Sequence, residues 1–389
     1  MALDKHKYVI NISGKAGHGK DTFASHLKEY LESQGLVVTV LHFAKAVKEI
    51  AKIEFGWDGN KDEKGRQLLI DVGMKYREID PDIWVKKLIP DIGTYLVDVI
   101  LIPDTRFPNE ISMIQDYCET KGYNHTAVRV NRPAFENKTL TIGQKKDISE
   151  TSLDNPELFE YYFNCWGIRQ NYNYAKVLGD IILKERTIVF DFDNTIVNSS
   201  RAFIKTYYEQ HGYNTLEESV EKEINKACKA VKNYNFKDVL PNLRDEEIEP
   251  IFNSPSFFDN IELKPFKFFG EDCTIVNFIN GLIDEGYIVK IATKGGFQNI
   301  QLKQRWINTF LPRIKSRNIF YYELSQDIKY SLNAKYILDD DERYLRPNLE
   351  FQERMLCLFY NDKTEWNENA FEDKSIHNIK NLNDLYAIL

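Results

Sequence analysis

Two short stretches of this chain carry residues whose types and spacing could handle phosphoryl groups. The first reads Gly14-Lys15-Ala16-Gly17-His18-Gly19-Lys20, a G-x-x-x-x-G-K pattern. Glycines so spaced let backbone N–H groups turn inward around phosphate oxygens, and a helix beginning at the lysine adds positive potential. Lys20 would reach the β- and γ-phosphates of a nucleotide. Asp21 stands where a hydroxyl side chain usually meets Mg²⁺, and Thr22 follows one position late. The second stretch reads Asp191-Phe192-Asp193-Asn194-Thr195. Asp191 can attack phosphorus to give an aspartyl-phosphate, and Asp193 can protonate the leaving oxygen and then activate water. Two carboxylates this close repel, so a divalent cation is expected between them, with both as ligands. Thr293 can hydrogen-bond the phosphoryl group, Lys303 can neutralise a pentacoordinate state, and Asp339-Asp340 can complete a Mg²⁺ site. Asp341 extends that acidic run, and which two of the three bind metal stays open.

Such residues act only if strands and helices place them. Tyr8 to Ser13 reads as a strand entering the glycine-rich loop, and Lys20 to Ser33 as a helix with Phe23, Leu27 and Leu31 on one face, ended by Gly35. Val37 to Phe43 and Val97 to Ile102 are dense, β-branched runs of the kind found in buried parallel strands. The latter leads to Asp104, suited to organise Mg²⁺ or water, and to Arg106, suited to a phosphate. Arg66, Arg77, Arg129 and Arg132 are further candidate guanidiniums, and Trp84 is either a stacking platform or core. Strands are again expected at Thr187 to Phe190, Tyr287 to Ala292 and Lys335 to Leu338, with a helix over Cys273 to Glu285. The alternation of β and α predicts an α/β fold with two doubly wound parallel sheets, in domains 1–184 and 185–389. Asp191 and Thr293 lie 102 residues apart, too far for one crossover. A helical cap inserted at about Val197 to Leu263 is expected to cover the second site.

The 389 residues are 43% hydrophobic, enough for a core in each half, and no run of about 18 apolar residues reads as a membrane span. The polar segment Met1 to Lys7 lacks a signal-peptide core, which makes a cytoplasmic protein the expectation. Five scattered cysteines contain no C-x-x-C pair, so reduced thiols are expected. The net charge is -8, with 25 basic against 26 acidic residues up to Lys184 and 26 against 33 beyond. Neither half has the basic balance of a nucleic-acid binder. Small-molecule nucleotides are therefore the expected partners, and self-association stays open.

The stretch Gly14 to Ala24 (GKAGHGKDTFA) resembles the phosphate loop of phage-type deoxynucleoside monophosphate kinases, where Asp-Thr often follows the lysine. Phe43 to Ala51, Gly65 to Leu88, Ile102 to Ile111, Val128 to Pro133 and Ile148 to Asn155 resemble the same family in the same order. The resemblance implies ATP and Mg²⁺ as donor and a deoxynucleoside monophosphate (dNMP) as acceptor. Gly14 to Thr22 would bind ATP, and Arg66, Arg77, Trp84, Arg106 and Arg132 the acceptor. Lys20 and Arg106 would stabilise the transferring group, with Asp104 organising the site. In the second half, the order Asp191/Asp193, Thr293, Lys303, Asp339/Asp340 resembles the haloacid dehalogenase (HAD) superfamily, with Asn194 where many members have glycine. Ser256 to Phe266, Leu302 to Phe310 and Asn333 to Leu345 resemble 5'(3')-deoxyribonucleotidases, which implies that Phe257 and Phe258 contact base or sugar.

Together these lead to a bifunctional enzyme, a dNMP kinase joined to a deoxynucleotidase. The alternative is a polynucleotide 5'-kinase/3'-phosphatase for strand-end healing, which would call for a basic groove. If both sites took the same dNMP, ATP would be consumed without product. The two domains are therefore expected to prefer different bases.

Overall fold

The computed structural model describes residues 6–60, 62–133, 135–231, 234–240, 242–263, 265–322, 332–351, 356–360 and 375–389. The chain divides into two units, Met1–Ile182 and Leu183–Leu389.

The first unit runs β1 (Tyr8–Ser13), α1 (Lys20–Ser33), β2 (Val38–Val40), α2 (Ala44–Phe55), α3 (Glu63–Ile79), α4 (Ile83–Thr94), β3 (Val99–Thr105), α5 (Pro108–Lys121) and β4 (Asn124–Asn131). It closes with α6 (Ile142–Lys146), α7 (Ile148–Thr151), β5 (Tyr161–Asn164) and α8 (Ile168–Glu185). Five parallel strands lie in the order β2-β3-β1-β4-β5. Alternate residues bury on opposite faces, as a parallel sheet covered on both sides requires. Val9, Ile100 and Ile102 pack against Val47, Val72, Trp84 and Ile114 of the helices on one face. Ile10, Ile12, Val99 and Leu101, on the alternate positions, are fully buried as well. The strand expected over Val37 to Phe43 is shorter than its apolar run. Leu41 N–H still reaches Leu101, but the N–H groups of Phe43 and Ala44 turn to the Asp104 carboxylate and start α2 instead.

Trp84 belongs to this core and not to a binding site. It is 1% exposed, and its indole N–H donates to the Gly73 carbonyl at 3.2 Å. Trp84→Ala should lower the unfolding free energy of the first unit by ~3–5 kcal/mol, the usual cost of a large buried cavity. Urea unfolding followed by circular dichroism checks this; a loss within ~1 kcal/mol would return Trp84 to the list of ligand contacts.

The second unit opens with β6 (Thr187–Asp191), followed by α9 (Ser199–Gln210), α10 (Glu218–Ala230), α11 (Asp245–Phe252) and α12 (Pro255–Asp259). Then come β7 (Pro265–Phe268), β8 (Glu271–Thr274), α13 (Ile275–Asp284), β9 (Ile288–Lys294), α14 (Phe297–Phe310) and β10 (Ile319–Tyr322). The unit ends with β11 (Tyr336–Asp339), α15 (Glu342–Phe351), β12 (Leu356–Tyr360), β13 (Ile376–Ile379) and α16 (Leu382–Ile388). Six parallel strands lie in the order β10-β9-β6-β11-β12-β13. Ile188, Phe190, Ile291 and Leu338 face one core, while Val189, Ala292, Ile337 and Cys357 face the other. The fold is thus α/β with parallel sheets in both units. One antiparallel hairpin departs from it. Cys273 and Thr274, expected to open a helix, belong to β8, which pairs with β7 across Phe269-Gly270; both turn residues have positive φ, as a tight hairpin demands.

The four helices α9–α12 all fall between β6 and β9. They carry a core of their own, in which Phe203, Phe236 and Phe257 are buried with Ile224 and Val231. Phe257 has no exposed surface and stacks edge-on against Phe252 and Phe258, so core packing replaces its expected ligand contact. Phe258 is partly buried, packed against both this core and the sheet's, and does not line the cavity described below. Among the described residues no helix is long and apolar enough to cross a membrane. Cys118, Cys165, Cys228, Cys273 and Cys357 are all free thiols.

Candidate active sites

In the first unit the loop between β1 and α1 is shaped by its glycines. Gly17 and Gly19 have φ of 82° and 88°, a region that side chains with a Cβ avoid. At Gly14 a Cβ would lie 2.6 Å from the Val130 carbonyl oxygen. Asn171 donates to the Gly19 carbonyl at 3.1 Å and Asn137 to that of Ala16 at 3.0 Å, so two side chains from distant segments hold the loop's outer carbonyls. Lys20, the first residue of α1, is only 8% exposed. Burial, and next the Arg106 guanidinium, push its ammonium below the ordinary lysine value; Asp21, Glu150 and Asp104 oppose this. Its nearest carboxylate is the exposed Asp21 at 3.6 Å, and a buried cation facing a cleft suits an anionic ligand.

Lys20 opens onto a cleft of about 450 Å³ that also takes in Asp21, Arg66, Arg77, Asp104 and Arg106. Asp104 and Arg106 reach the phosphate loop because β1 and β3 are neighbours whose C-terminal ends meet there, and α3 supplies Arg66 and Arg77. The Asp104 oxygens accept the Phe43 and Ala44 N–H groups at 3.1 and 2.9 Å. Asp104 therefore positions the start of α2 while its carboxylate still lines the cleft. Arg77 pairs with Glu110 at 2.8 Å and lies over the Phe107 ring. Glu110 also accepts the Arg106 and Phe107 N–H groups at 2.6 and 3.1 Å, and so fixes the backbone that presents Arg106. Its burial raises the carboxyl above the ordinary value, against the pull of Arg77.

Two other guanidiniums lie outside this cleft. Arg132 sits over the Phe135 ring at 4.6 Å, and its N–H donates to Nδ1 of His18, which places it beside the phosphate loop. The assignment of Arg132 to the acceptor pocket is thereby corrected. Arg129 is buried against Ser13 and Asp154 at 2.8 and 3.1 Å. His18 is depressed below the ordinary histidine value, first by burial and then by Arg129 and Lys15. Lys15 pairs with Asp154 at 2.8 Å. Asp21 and Thr22 are exposed on the first turn of α1, and of the two only Asp21 lines the cleft. Sequence reasoning missed Glu150, Glu110 and Asn171. Glu150 lies in the quoted stretch Ile148 to Asn155, so the signal was present; Asn171 sits mid-helix with none.

In the second unit, β6 is flanked by β9 and β11. The C-terminal ends of these three adjacent strands bring Asp191, Thr293 and Asp339 together. Asp191, Asp339 and Asp340 are buried, and each offers an oxygen within 4.8 Å of the others'. Three buried carboxylates so close would repel, and a hard cation with oxygen ligands is what such a donor set fits. Asp193 is not part of that group. Its carboxylate is paired with Lys303 and lies 3.5 Å from the Thr293 hydroxyl, so its expected place as a metal ligand is corrected. Lys303, on α14 and 2% exposed, also donates to Thr293 Oγ1 at 2.9 Å and to the Lys294 carbonyl at 2.6 Å. Asp341 is engaged elsewhere. Arg343 forks onto its carboxylate at 2.9 and 3.0 Å, and its N–H donates to Asp339 Oδ1 at 2.9 Å. The three-way choice in the acidic run thus falls on Asp339 and Asp340.

Asn194 has φ 53°, which explains why asparagine can stand where glycine is common. Its side chain bonds Ser200 through both amide atoms, at 2.9 and 3.0 Å, and so ties the aspartate loop to the start of α9. Asp191, Asp193, Asp339 and Asp340 line a cavity of about 390 Å³ with Tyr234, Phe236, Phe252 and Tyr344. Tyr234 also has positive φ, at 56°. Burial first, then the carboxylates of Asp340, Asp193 and Asp191, push its phenol well above the ordinary value, so it remains a donor. No pattern in the sequence singles out Tyr234.

The phosphomevalonate kinase family matches residues 12–120, the part that holds the phosphate loop, Asp104 and Arg106. No curated protein matches the chain. Among solved structures, an APS kinase from Mycobacterium tuberculosis is 13% identical with a TM-score of 0.27, covering 44% of this chain and 97% of its own. A haloacid dehalogenase-like hydrolase from Burkholderia xenovorans is 12% identical with a TM-score of 0.32, covering 53% and 96%. The Pnkp1/Rnl/Hen1 RNA repair complex is 10% identical with a TM-score of 0.24, covering 94% and 97%.

Proposed function

We propose that the chain is a bifunctional enzyme of nucleotide metabolism. Its first unit transfers the γ-phosphoryl group of ATP to a dNMP, and its second hydrolyses the phosphate of a different dNMP. The observation that carries this reading is the pairing of two complete phosphoryl sites, each at the C-terminal ends of adjacent parallel strands. In the first, Lys20 would neutralise the transferring group while Arg106, with Arg66 and Arg77 behind it, holds the acceptor phosphate. In the second, Asp191 would attack phosphorus, and Asp193, held by Lys303 and Thr293, would protonate the leaving oxygen and then take a proton from water. Asp191, Asp339 and Asp340 would hold Mg²⁺, which supplies the positive charge that lets an anionic substrate approach an anionic nucleophile. Tyr234, Phe236 and Phe252 give the cavity an aromatic wall for the nucleoside.

Free nucleotides are favoured over strand ends by the charge of the first half, 25 basic against 26 acidic residues. The opposed activities favour different bases at the two sites, as in a pathway that builds one nucleotide while removing its competitor. Each activity should be assayed over a dNMP panel and over a 5'-hydroxyl oligonucleotide, with ATP and Mg²⁺. The first unit is expected to phosphorylate dNMPs, and the two activities to differ in base preference. Phosphorylation of the oligonucleotide alone would overturn the kinase reading in favour of end healing, and matched preferences would defeat the division of substrates.

A further inference from the structure

The stretch around α7 places a carboxylate where both substrates of the first unit need positive charge. Glu150 Oε2 accepts the Ala16 N–H of the phosphate loop at 2.9 Å, and Oε1 pairs with Arg106 Nη1 at 2.7 Å. One side chain therefore joins the donor loop to the acceptor-side arginine. A second carboxylate repeats the arrangement. Asp154 pairs with Lys15 of the loop at 2.8 Å and with Arg129 at 3.1 Å. Helix α7 has only four residues, and Ile148 at its start is half exposed. Leu153, buried beside Ile111 and Ala127, and the Ser152 hydroxyl on the Arg106 carbonyl anchor the stretch, whereas the contacts of Glu150 and Asp154 are ones a phosphate oxygen could make in their place. A carboxylate at hydrogen-bond distance from the loop would also repel the phosphates that the loop is shaped to receive.

We infer that Glu150 is a positioning residue shared by both substrates, a stand-in anion that phosphate displaces from the loop and from Arg106. This rests on the kinase reading of the first unit. Its consequence is a coupling between sites. Whichever nucleotide enters first bears the cost of moving Glu150, and the second finds its contacts already released. Donor and acceptor then strengthen each other's binding by the same factor, as linkage requires. A residue that merely supports the fold would, when removed, weaken both binary affinities and produce no such coupling.

Calorimetric titration of the full chain tests this, throughout in an Asp191→Asn background that silences dNMP hydrolysis by the second unit, with a β,γ-imido analogue of ATP and Mg²⁺, with and without an equimolar mixture of the four common dNMPs. In the wild type the mixture should tighten analogue binding by about 5-fold or more. Glu150→Ala should bind the analogue alone several-fold more tightly than wild type, with the coupling reduced to less than about 2-fold. Glu150→Gln, which keeps the shape and loses the charge, should fall between. A wild type that does not bind the analogue overturns the kinase reading itself. Analogue binding that is unchanged or weakened in Glu150→Ala, or coupling that survives there, overturns the role of Glu150 and leaves the kinase reading standing.

Discussion

Asp191→Asn is expected to abolish phosphatase activity, with kcat falling on the order of 10⁴-fold or more, while ATP-dependent phosphorylation proceeds at the wild-type rate. The amide cannot form the aspartyl-phosphate, and no neighbour can replace it. Asp193 is paired with Lys303, and Asp339 and Asp340 belong to the carboxylate group that fits a cation. The companion change Asp193→Asn separates the two chemical roles. It leaves the nucleophile and the three-carboxylate group in place and removes the proton for the leaving oxygen. Its defect in forming the aspartyl-phosphate, read as the pre-steady-state burst, should therefore be large with a nucleoside monophosphate and small with p-nitrophenyl phosphate, whose leaving group departs without protonation, while hydrolysis of the intermediate slows equally for both. Equal defects on both substrates would mean that Asp193 supports the site and is not its acid. Loss of kinase activity in Asp191→Asn would contradict two independent sites.

Lys20→Ala is the converse test, with kinase activity falling about 10³-fold and the phosphatase untouched. Lys20 is the buried cation at the head of α1, and its ammonium is already destabilised by burial and by Arg106. Developing negative charge on the transferring group would relieve that cost, so the interaction is stronger in the transition state than in the ground state. Loss of about 4 kcal/mol of such stabilisation corresponds to the stated factor. The fall should appear in kcat with ATP saturating. A change confined to KM for ATP would mean that Lys20 only helps to bind the nucleotide.

The parts of both sites that sequence reasoning reaches are those set by one short segment. A strand followed at once by GKAGHGK or by DFDNT places its functional residues by local geometry, and likewise Thr293 is the last residue but one of β9 and Asp339 ends β11. What it misreads depends on partners far along the chain. Trp84 is aromatic at a position where core and stacking platform look alike, and only its packing against Tyr76 and its bond to Gly73 decide for the core. Arg132 looks like any other guanidinium until His18 and Phe135 are seen beside it. Asp193 and Asp191 are two residues apart and chemically identical. The lysine on α14, 110 positions from Asp193, is what gives them different partners. The end of β2 was hidden for the same reason, since Asp104 competes for the N–H groups that would have extended it.

The cap helices bury a core that is distinct from the two cores of the second unit's sheet. Stability of these helices and stability of the sheet therefore draw on different buried residues, with Phe258 and Ile261 packed against both cores. Substitutions at Phe236 or Phe252 can reshape the cavity wall while Asp191, Thr293 and Asp339 on the sheet, Asp340 just after β11 and Lys303 on α14 keep their geometry. Such a division makes this unit a scaffold on which substrate choice can drift through successive small changes, or be transplanted by exchanging helices α9 to α12, while Asp193 and α13, which also lie between β6 and β9, stay in place.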